Sequence, residues 1–399
     1  MMIPPDDKIT AGVSRRDFLK SAARAAGAAA CAPLIIPQRA LGKQTPLKLG
    51  YLPITDATPL LVAHGLGYFA QEGLEVERPV MVRSWKVLSE SFLAGKFNLT
   101  HMLFPIPVWM RFKQGVPIKV LAWDHTNGSA VTVRGESDIR GFGDLGGKQV
   151  AVPSWYSMHN LLMQLGLQEQ GLTAVIRPQS ASLAPHEVNL FILPPPDMPT
   201  ALLGKKIDAF IVADPFNALS QEKFSARIMR YSGDIWKNHP CCVIVTHENL
   251  IRQDQAMVQK AVNAIVRAQA WCLKNPKETA HLLSRDGEGY LPVPESVLNR
   301  VFGTISDSEL VHPQWGVERI GFQPFPYPSA TRFIVEQMKK TKVEGNTDFL
   351  ASLDAGAATE QLVDDTFVRK ALDDMGGMAG FCQCDTKDIF TREEIVEIN

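Results

Sequence analysis

Apolar and polar residues alternate along the first half of the chain in blocks that predict short strands separated by helices. The segment LKLGYLPI (47–54) is an apolar strand pattern that runs into a polar turn. It is followed by LLVAHGLGYFAQEGLEVE (60–77), a helical pattern broken by glycines. Further strand patterns occur at IKVLAW (118–123) and SAVTVR (129–134). This regular β-α-β alternation indicates an α/β fold in which parallel sheets pack against helices.

From Asn249 onward the pattern becomes mainly helical, and DQAMVQKAVNAIVRAQAWCLKN (254–275) is the longest helical run. Its apolar spacing of three and four predicts a helix that lies against a core. No repeat or long linker separates the two halves of the chain. We therefore predict that two strands cross between two lobes, near residues 131–134 and 236–245.

The N-terminal stretch VSRRDFLKSAARAAGAAACAPLIIP (13–37) has the order of a twin-arginine export signal. Its Ala-rich run is interrupted by Arg24 and is too weakly apolar to remain in a bilayer. We predict a signal peptide over residues 1–42 and a mature chain in the periplasm. A basic N-terminal helix of a cytoplasmic protein and a lipidated, membrane-tethering Cys31 are the alternatives.

Composition narrows the class of protein. Hydrophobic content of 45% and charged content of 21% are ordinary for a soluble protein, and residues 43–399 exceed what one core usually holds. The net charge of -1 and the absence of Lys/Arg runs argue against a nucleic-acid partner.

Twin-arginine substrates fold before export, so no disulfide framework is expected. The FCQCD motif (381–385) could hold a metal as a C-x-C pair, but no second pair lies nearby, so we predict neither a metal nor a cofactor.

Five segments carry a family resemblance: GYLPITDATPLLVAHGLGYFAQEGL (50–74), SWKVLSESFLAGKFNLTHMLFPIP (84–107), LPPPDMPTALLGKKIDAFIVADPFNA (193–218), DIWKNHP (234–240) and FQPFPYPSATRFIVEQMKK (322–340). Their order and spacing resemble the nitrate/bicarbonate-type solute-binding proteins of ABC importers, within the nitrate, sulfonate and thiamine-precursor binding family. The resemblance implies a type II periplasmic binding protein, with mixed or parallel sheets flanked by helices and two hinge crossings. Lobe 1 would comprise residues 43–133 and 237–399, and lobe 2 residues 134–236. A monomer that carries a small anion to a membrane permease, without catalysis, is the expected function.

Two site residues are expected at the start of helices. Thr55 ends the first strand just before a helix, where N–H groups and a hydroxyl can meet an anion. Capping of that helix by Asp56 or Thr58 is the structural alternative. Trp85 follows Ser84 on a loop leading into a helix, and its indole can donate to an anion or pack in the core. The resemblance favours a contact between Trp85 and the ligand.

The resemblance and the residue chemistry nominate five further ligand contacts. His101 and His159 match histidines of the anion-binding relatives, although a histidine is often structural. Ser129 stands where nitrate-binding relatives place a Gln, which leaves room for a larger ligand or a water. Asp214, in ADPFNA, replaces a Glu and could accept from a ligand, help hold a cation or cap a turn. Lys237 is the best candidate for a positive charge near the cleft.

Three classes of function remain open after these observations. The leading prediction is a binding protein for a small oxyanion such as nitrate, nitrite or bicarbonate. Ser129 and Phe216, which replaces a Trp of the relatives, keep an organic sulfonate or a pyrimidine precursor open. The second and third classes are an exported enzyme and a sensor on the same fold, but no H-E-x-x-H, G-x-S-x-G, phosphate-loop or dinucleotide motif occurs.

Overall fold

The computed structural model describes residues 46–305, 318–382 and 390–397. Within them, the residues from Pro46 onward form one compact unit. The predicted signal peptide, with Cys31, and Cys384 of the FCQCD motif lie outside the described residues. Among the described residues, no helix is both long and apolar enough to cross a membrane.

The strands are short and mostly buried, as the apolar blocks predict. They are β1 (Leu49–Tyr51), β2 (Val80–Met81), β3 (Leu99–Leu103), β4 (Ile118–Trp123), β5 (Thr126–Asn127), β6 (Ser129–Val133), β7 (Gln149–Val152), β8 (Thr173–Val175), β9 (Glu187–Ile192), β10 (Ala209–Ala213), β11 (Arg227–Tyr231), β12 (Cys242–His247) and β13 (Ile320–Gly321).

Helices separate most of the strands and dominate the C-terminal part of the described chain. They are α1 (Thr58–Gly65), α2 (Tyr68–Gln71), α3 (Trp85–Leu93), α4 (Pro105–Phe112), α5 (Met158–Glu169), α6 (Met198–Leu203), α7 (Phe216–Phe224), α8 (Glu248–Gln253), α9 (Gln255–Lys274), α10 (Pro276–Leu283), α11 (Glu295–Phe302), α12 (Pro328–Lys340), α13 (Asp348–Ala351), α14 (Ala355–Leu362), α15 (Thr366–Asp374) and α16 (Gly377–Cys382).

Two mixed sheets organise the molecule. The first sheet has the strand order β2-β1-β3-β12-β4, in which β12 runs antiparallel to both of its neighbours. The second sheet has the order β11-β6-β10-β7-β9-β8, in which β6 is antiparallel to β10 and β11. The remaining pairs in both sheets are parallel. The predicted α/β fold with mixed sheets and flanking helices is therefore confirmed.

The chain passes between the sheets twice. Residues 124–128, the first crossing segment, lead from β4 to β6, and residues 232–241, the second crossing segment, lead from β11 to β12. β6 falls within the predicted lobe 1, which ends at residue 133, but it pairs with β10 in the second sheet. The lobe boundaries stay predictions. The two crossing segments lie side by side. The N–H of Asn127 donates to the carbonyl of His239 at 3.0 Å, and the N–H of Cys241 donates to the carbonyl of His125 at 3.4 Å.

Two serine caps fix the helices that face this junction. Ser84 precedes α3, and its hydroxyl accepts from the N–H of Val87 at 3.3 Å. Ser157 precedes α5 and accepts from the N–H of Asn160 at 2.9 Å. A cap of this kind satisfies an N–H that the helix itself leaves unpaired. It also determines where the first-turn residues Trp85 and His159 point.

Candidate functional site

Four polar side chains from three distant segments meet where the sheets join. Asp56 lies in the 3-10 turn Thr55–Ala57 after β1, and His125 lies on the first crossing segment. Cys241 ends the second crossing segment, and Cys242 begins β12. All four are fully buried. The Oδ2 of Asp56 lies 3.0 Å from the Nε2 of His125, 3.1 Å from the Sγ of Cys242 and 3.5 Å from the Sγ of Cys241. We call this group the Asp-His-Cys cluster.

Two of the sequence-predicted residues lie against this cluster. The hydroxyl of Ser129 and the Nε2 of His159 are 2.8 Å apart. The Sγ of Cys241 lies 3.9 Å from the Ser129 hydroxyl and 4.0 Å from the His159 Nε2. Ser129 is held in turn because its N–H donates to the hydroxyl of Ser232 at 3.2 Å. The structure therefore brings a residue of β6 and a residue of α5 to the second crossing segment.

Burial and mutual charge shift the protonation of the cluster. Burial raises the pKa of Asp56 to about 6, although the neighbouring His125 opposes that rise. Burial alone would lower the pKa of His125, but the Asp56 carboxylate outweighs it and holds the pKa well above 6.5. Burial also opposes ionisation of Cys241, yet the Cys242 thiol, His159 and His125 hold its pKa well below 9. Negative charge is therefore stabilised on Cys241 by the neighbouring donors, whereas burial disfavours it on Asp56.

Several buried polar atoms around the cluster have no hydrogen-bond partner within the described part of the chain. They are Asp56 Oδ1, both carboxylate oxygens of Asp124, Nδ1 of His125, Nδ1 of His159 and both ring nitrogens of His239. Buried polar atoms in native proteins are nearly always paired, because an unpaired one retains its full desolvation cost. Their concentration along the two crossing segments is typical of a place that receives a ligand.

Trp85 and His101 form a second contact above the junction. Their rings meet edge to face with centroids 5.4 Å apart, and Trp85 is only 2% exposed. The Nε2 of His101 accepts from the N–H of Leu52 at 3.1 Å. Burial, with a further contribution from His125, lowers the pKa of His101 to about 3. The ring is therefore neutral, and because its Nε2 accepts, its proton is on Nδ1, where it can be donated.

A cleft of about 660 Å³ lies outside Trp85. Its walls come from α3 and α4 beside the first sheet and from the loops after β7 and β9 of the second sheet. Aromatic rings dominate these walls, and those of Trp109 and Tyr156 stack at 5.4 Å. The cleft is within the size range of small-molecule sites. Trp85 therefore contributes to the cleft wall and also contacts His101 beneath it.

The other predicted site residues make structural contacts. The N–H and the hydroxyl of Thr55 both donate to the carbonyl of Asp214, at 2.7 and 3.0 Å. The carboxylate of Asp214 accepts two hydrogen bonds from Arg319, at 2.6 and 2.9 Å, inside the core. Lys237 is half-buried on the second crossing segment, and its N–H donates to the carbonyl of Ile395. Among the described contacts, none joins the Lys237 ammonium to the cluster.

Most of the cluster is not predicted by the sequence pattern. From sequence, Asp56 is expected only as a helix cap, and no metal-ligand spacing is visible because the four residues come from three separate segments. In the structure, the four ligand atoms lie within 4.8 Å of one another. A signal was present in the sequence, because WDHTNG (123–128) and NHPCC (238–242) place polar residues beside buried strands. NHPCC lies within the predicted crossing at 236–245, whereas WDHTNG precedes the predicted crossing at 131–134.

Comparison with known proteins identifies the family of this chain and several relatives. Residues 41–284 match the NMT1-like family. The nitrate/nitrite binding protein NrtA of Nostoc sp. is 28% identical over 313 residues, which cover 71% of this chain and 68% of NrtA. The nitrate import ATP-binding protein NrtC of Synechocystis sp. is 27% identical over 234 residues, 57% of this chain, but the match spans only 35% of NrtC.

Among solved structures, the periplasmic nitrate-binding protein NrtA from Synechocystis PCC 6803 superposes with a TM-score of 0.70. The match has 19% sequence identity and covers 85% of this chain and 91% of that chain. A likeness at this identity shows the fold, and the predicted periplasmic binding protein fold is confirmed.

Proposed function

This chain belongs to the NMT1-like family, and on that premise we propose that it is the substrate-binding component of an ABC-type importer. The observation that carries the proposal is the position of the Asp-His-Cys cluster. It is buried where two crossing segments join two sheets, and Trp85, a wall residue of the cleft, contacts His101 of the first sheet. Polar groups converging between two sheets are what a protein needs to enclose a small polar solute. One relative is named as the nitrate/nitrite binding protein NrtA, and this name supports a binding function.

The proposed partners and location follow from the same relatives. NrtA is named as periplasmic in its solved structure, and NrtC is named as an import ATP-binding protein. We infer that this chain works as a monomer in the periplasm after twin-arginine export and delivers its solute to a membrane permease.

A small oxyanion of the nitrate, nitrite and bicarbonate class is the first candidate solute. A buried anion binds only where N–H and O–H donors replace its hydration. His101 carries a proton on Nδ1, His159 has an unpaired Nδ1, and Trp85 lies beside His101. These groups, with Ser129, are the donors that we propose for the anion. Thr55 pairs with Asp214, which in turn pairs with Arg319, so we assign these residues to the support of the fold. Lys237 stays in the proposal as its cation.

The size of the cleft favours a second candidate. A volume of about 660 Å³ with walls from Trp85, Trp109, Trp155 and Tyr156 exceeds what a bare nitrate needs. Aromatic walls suit a solute with an apolar portion, such as an organic sulfonate or a pyrimidine precursor.

Thermal-shift screening in the presence of a metal chelator tests this function. The panel contains nitrate, nitrite, bicarbonate, alkanesulfonates and pyrimidines, and at least one solute is expected to raise the melting temperature. The variant His159→Ala should weaken the binding of that solute by about 1.5–3 kcal/mol, which is a roughly ten- to over a hundredfold loss of affinity. The matched control is His186→Ala, which removes an exposed histidine and should leave binding unchanged. If no solute of the panel binds with or without metal, the transport function is wrong.

A further inference from the structure

We propose that Asp56, His125, Cys241 and Cys242 form a binding site for a soft divalent transition-metal ion of the Zn²⁺ type. The inference goes beyond the proposed function and does not rest on it, because the four ligands are fixed by the fold whether the solute is an anion or an organic molecule. The cluster is distinct from the FCQCD motif near the end of the chain.

The donor set determines the class of ion. Two thiols, one imidazole and one carboxylate combine soft and borderline ligands, which select zinc-like ions over calcium or magnesium. Hard cations prefer six or more oxygen ligands, and only one carboxylate belongs to this cluster. The third free, buried cysteine, Cys272, lies in α9 and is not part of the cluster.

The spacing of the four ligand atoms fits one tetrahedral ion. Metal–ligand bonds of about 2.0–2.3 Å place neighbouring ligands of a tetrahedral zinc site roughly 3.3–3.8 Å apart. Asp56 Oδ2 lies 3.0–3.5 Å from the other three ligand atoms. All four lie within 4.8 Å of one another. Adjustments of a few tenths of an ångström would therefore complete the shell.

Burial and charge favour an ion at this place. Each of the four side chains is fully buried, and the second carboxylate oxygen of Asp56 has no partner among the described residues. A carboxylate and thiol groups gathered in the core need a positive partner, because burial of unpaired charge is costly. His125 alone supplies that partner at 3.0 Å, whereas one divalent ion would contact all four atoms at once.

Neighbouring groups can support the ligands. The Ser129–His159 pair lies 3.9–4.0 Å from the Sγ of Cys241. The backbone around His125 is tied to the second crossing segment by the hydrogen bond from the Cys241 N–H to the His125 carbonyl. Such outer contacts orient metal ligands and raise affinity.

X-ray absorption at the zinc edge of the purified, reduced protein tests the site without any mutation. After loading with one equivalent of Zn²⁺, we expect two sulfur scatterers at about 2.3 Å and two nitrogen or oxygen scatterers at about 2.0–2.1 Å. Replacing Zn²⁺ by Co²⁺ should produce the thiolate-to-cobalt charge-transfer absorption of a tetrahedral site. Coordination by nitrogen and oxygen alone, or failure to bind a stoichiometric ion, overturns the proposal.

Serine variants identify the ligands. Cys241→Ser and Cys242→Ser should each lower Zn²⁺ affinity by at least the roughly 10- to 100-fold that loss of an outer-shell partner costs. Cys272→Ser is the matched control, since it changes a free, buried cysteine outside the cluster and should leave affinity unchanged. The pair Cys382→Ser and Cys384→Ser tests the FCQCD motif. Loss of zinc in that pair, with none in the Cys241 and Cys242 variants, overturns the assignment.

Two outcomes separate this proposal from the proposed function. Binding of a solute in the presence of chelator, with no stoichiometric Zn²⁺ binding, leaves the transport function standing and refutes the metal site. Stoichiometric Zn²⁺ bound through two sulfurs, with no solute found, supports the metal site and refutes the proposed transport function.

Discussion

Asp56 and Asp214 both follow the end of a buried strand at the sheet junction, and both are fully buried. Asp214 is completely paired: Arg319 binds both carboxylate oxygens, and the N–H of Ala218 adds a third hydrogen bond at 3.1 Å. Asp56 instead offers a single oxygen to an imidazole and two thiols, and its other oxygen is unpaired among the described residues. The same residue type in the same topological position therefore has two different roles.

The difference shows how to separate a structural acid from a ligand-binding one. A carboxylate that is saturated by a guanidinium and backbone N–H groups stabilises the fold and has nothing left to offer. A carboxylate surrounded by groups that are themselves metal ligands keeps its capacity to bind. Substitution of Asp by Asn should therefore lower mainly the unfolding free energy at position 214 and mainly ligand affinity at position 56.

The largest effect is expected from Asp214→Asn. The change leaves the Arg319 guanidinium buried beside an uncharged group, which costs about 3–5 kcal/mol of unfolding free energy. Urea unfolding of the purified protein measures this loss. A loss below about 1 kcal/mol would mean that Arg319 finds another partner, and the structural role of Asp214 would be refuted.

A smaller loss of stability is expected from Gly128→Ala, which tests how the first crossing segment positions His125. Gly128 has φ of +79°, and an added Cβ would lie 3.2 Å from the His125 ring. Strain and contact together should cost about 1–3 kcal/mol and should weaken Zn²⁺ binding in a calorimetric titration.

The matched control for Gly128 is Gly147→Ala. Gly147 has φ of +74°, and no atom lies within 4 Å of the position of its Cβ. Gly147→Ala should lower the unfolding free energy through backbone strain alone and leave Zn²⁺ affinity unchanged. Equal effects of the two substitutions on Zn²⁺ affinity would show that the His125 contact is unimportant.

The smallest effect on stability is expected from Asp56→Asn. The substitution removes a charge that burial already disfavours, so unfolding free energy should change by about 1 kcal/mol or less. Zn²⁺ binding should nevertheless fall at least tenfold, because a ligand is lost. A destabilisation as large as that of Asp214→Asn would show that Asp56 stabilises the fold in the same way as Asp214.

The fold was accessible from sequence because it depends on local patterns. Apolar blocks such as IKVLAW and the glycine stop after α3 are readable in isolation, and strand–helix alternation limits the possible arrangements. The Ser129 and His159 predictions rested on resemblance, and the structure places both beside the cluster, while their contact with a ligand stays a prediction.

The cluster itself was not accessible, because its members are separated by up to 186 residues along the chain. Only the pairing of β12 between β3 and β4 brings the cysteines to Asp56 and His125. Asp214 and Arg319 show the same limit: 105 residues separate them, and no local spacing reveals that the acid is already paired.

The side-by-side course of the two crossing segments has a kinetic consequence. With His125 on one segment and Cys241 on the other, an ion bound by both is a reversible cross-link between the only peptide connections that join the two sheets in the described chain. Any motion that separates the segments must first break metal–ligand bonds. The residence time of the ion, rather than the diffusion of solute into the cleft, then sets how long the protein stays in one conformation.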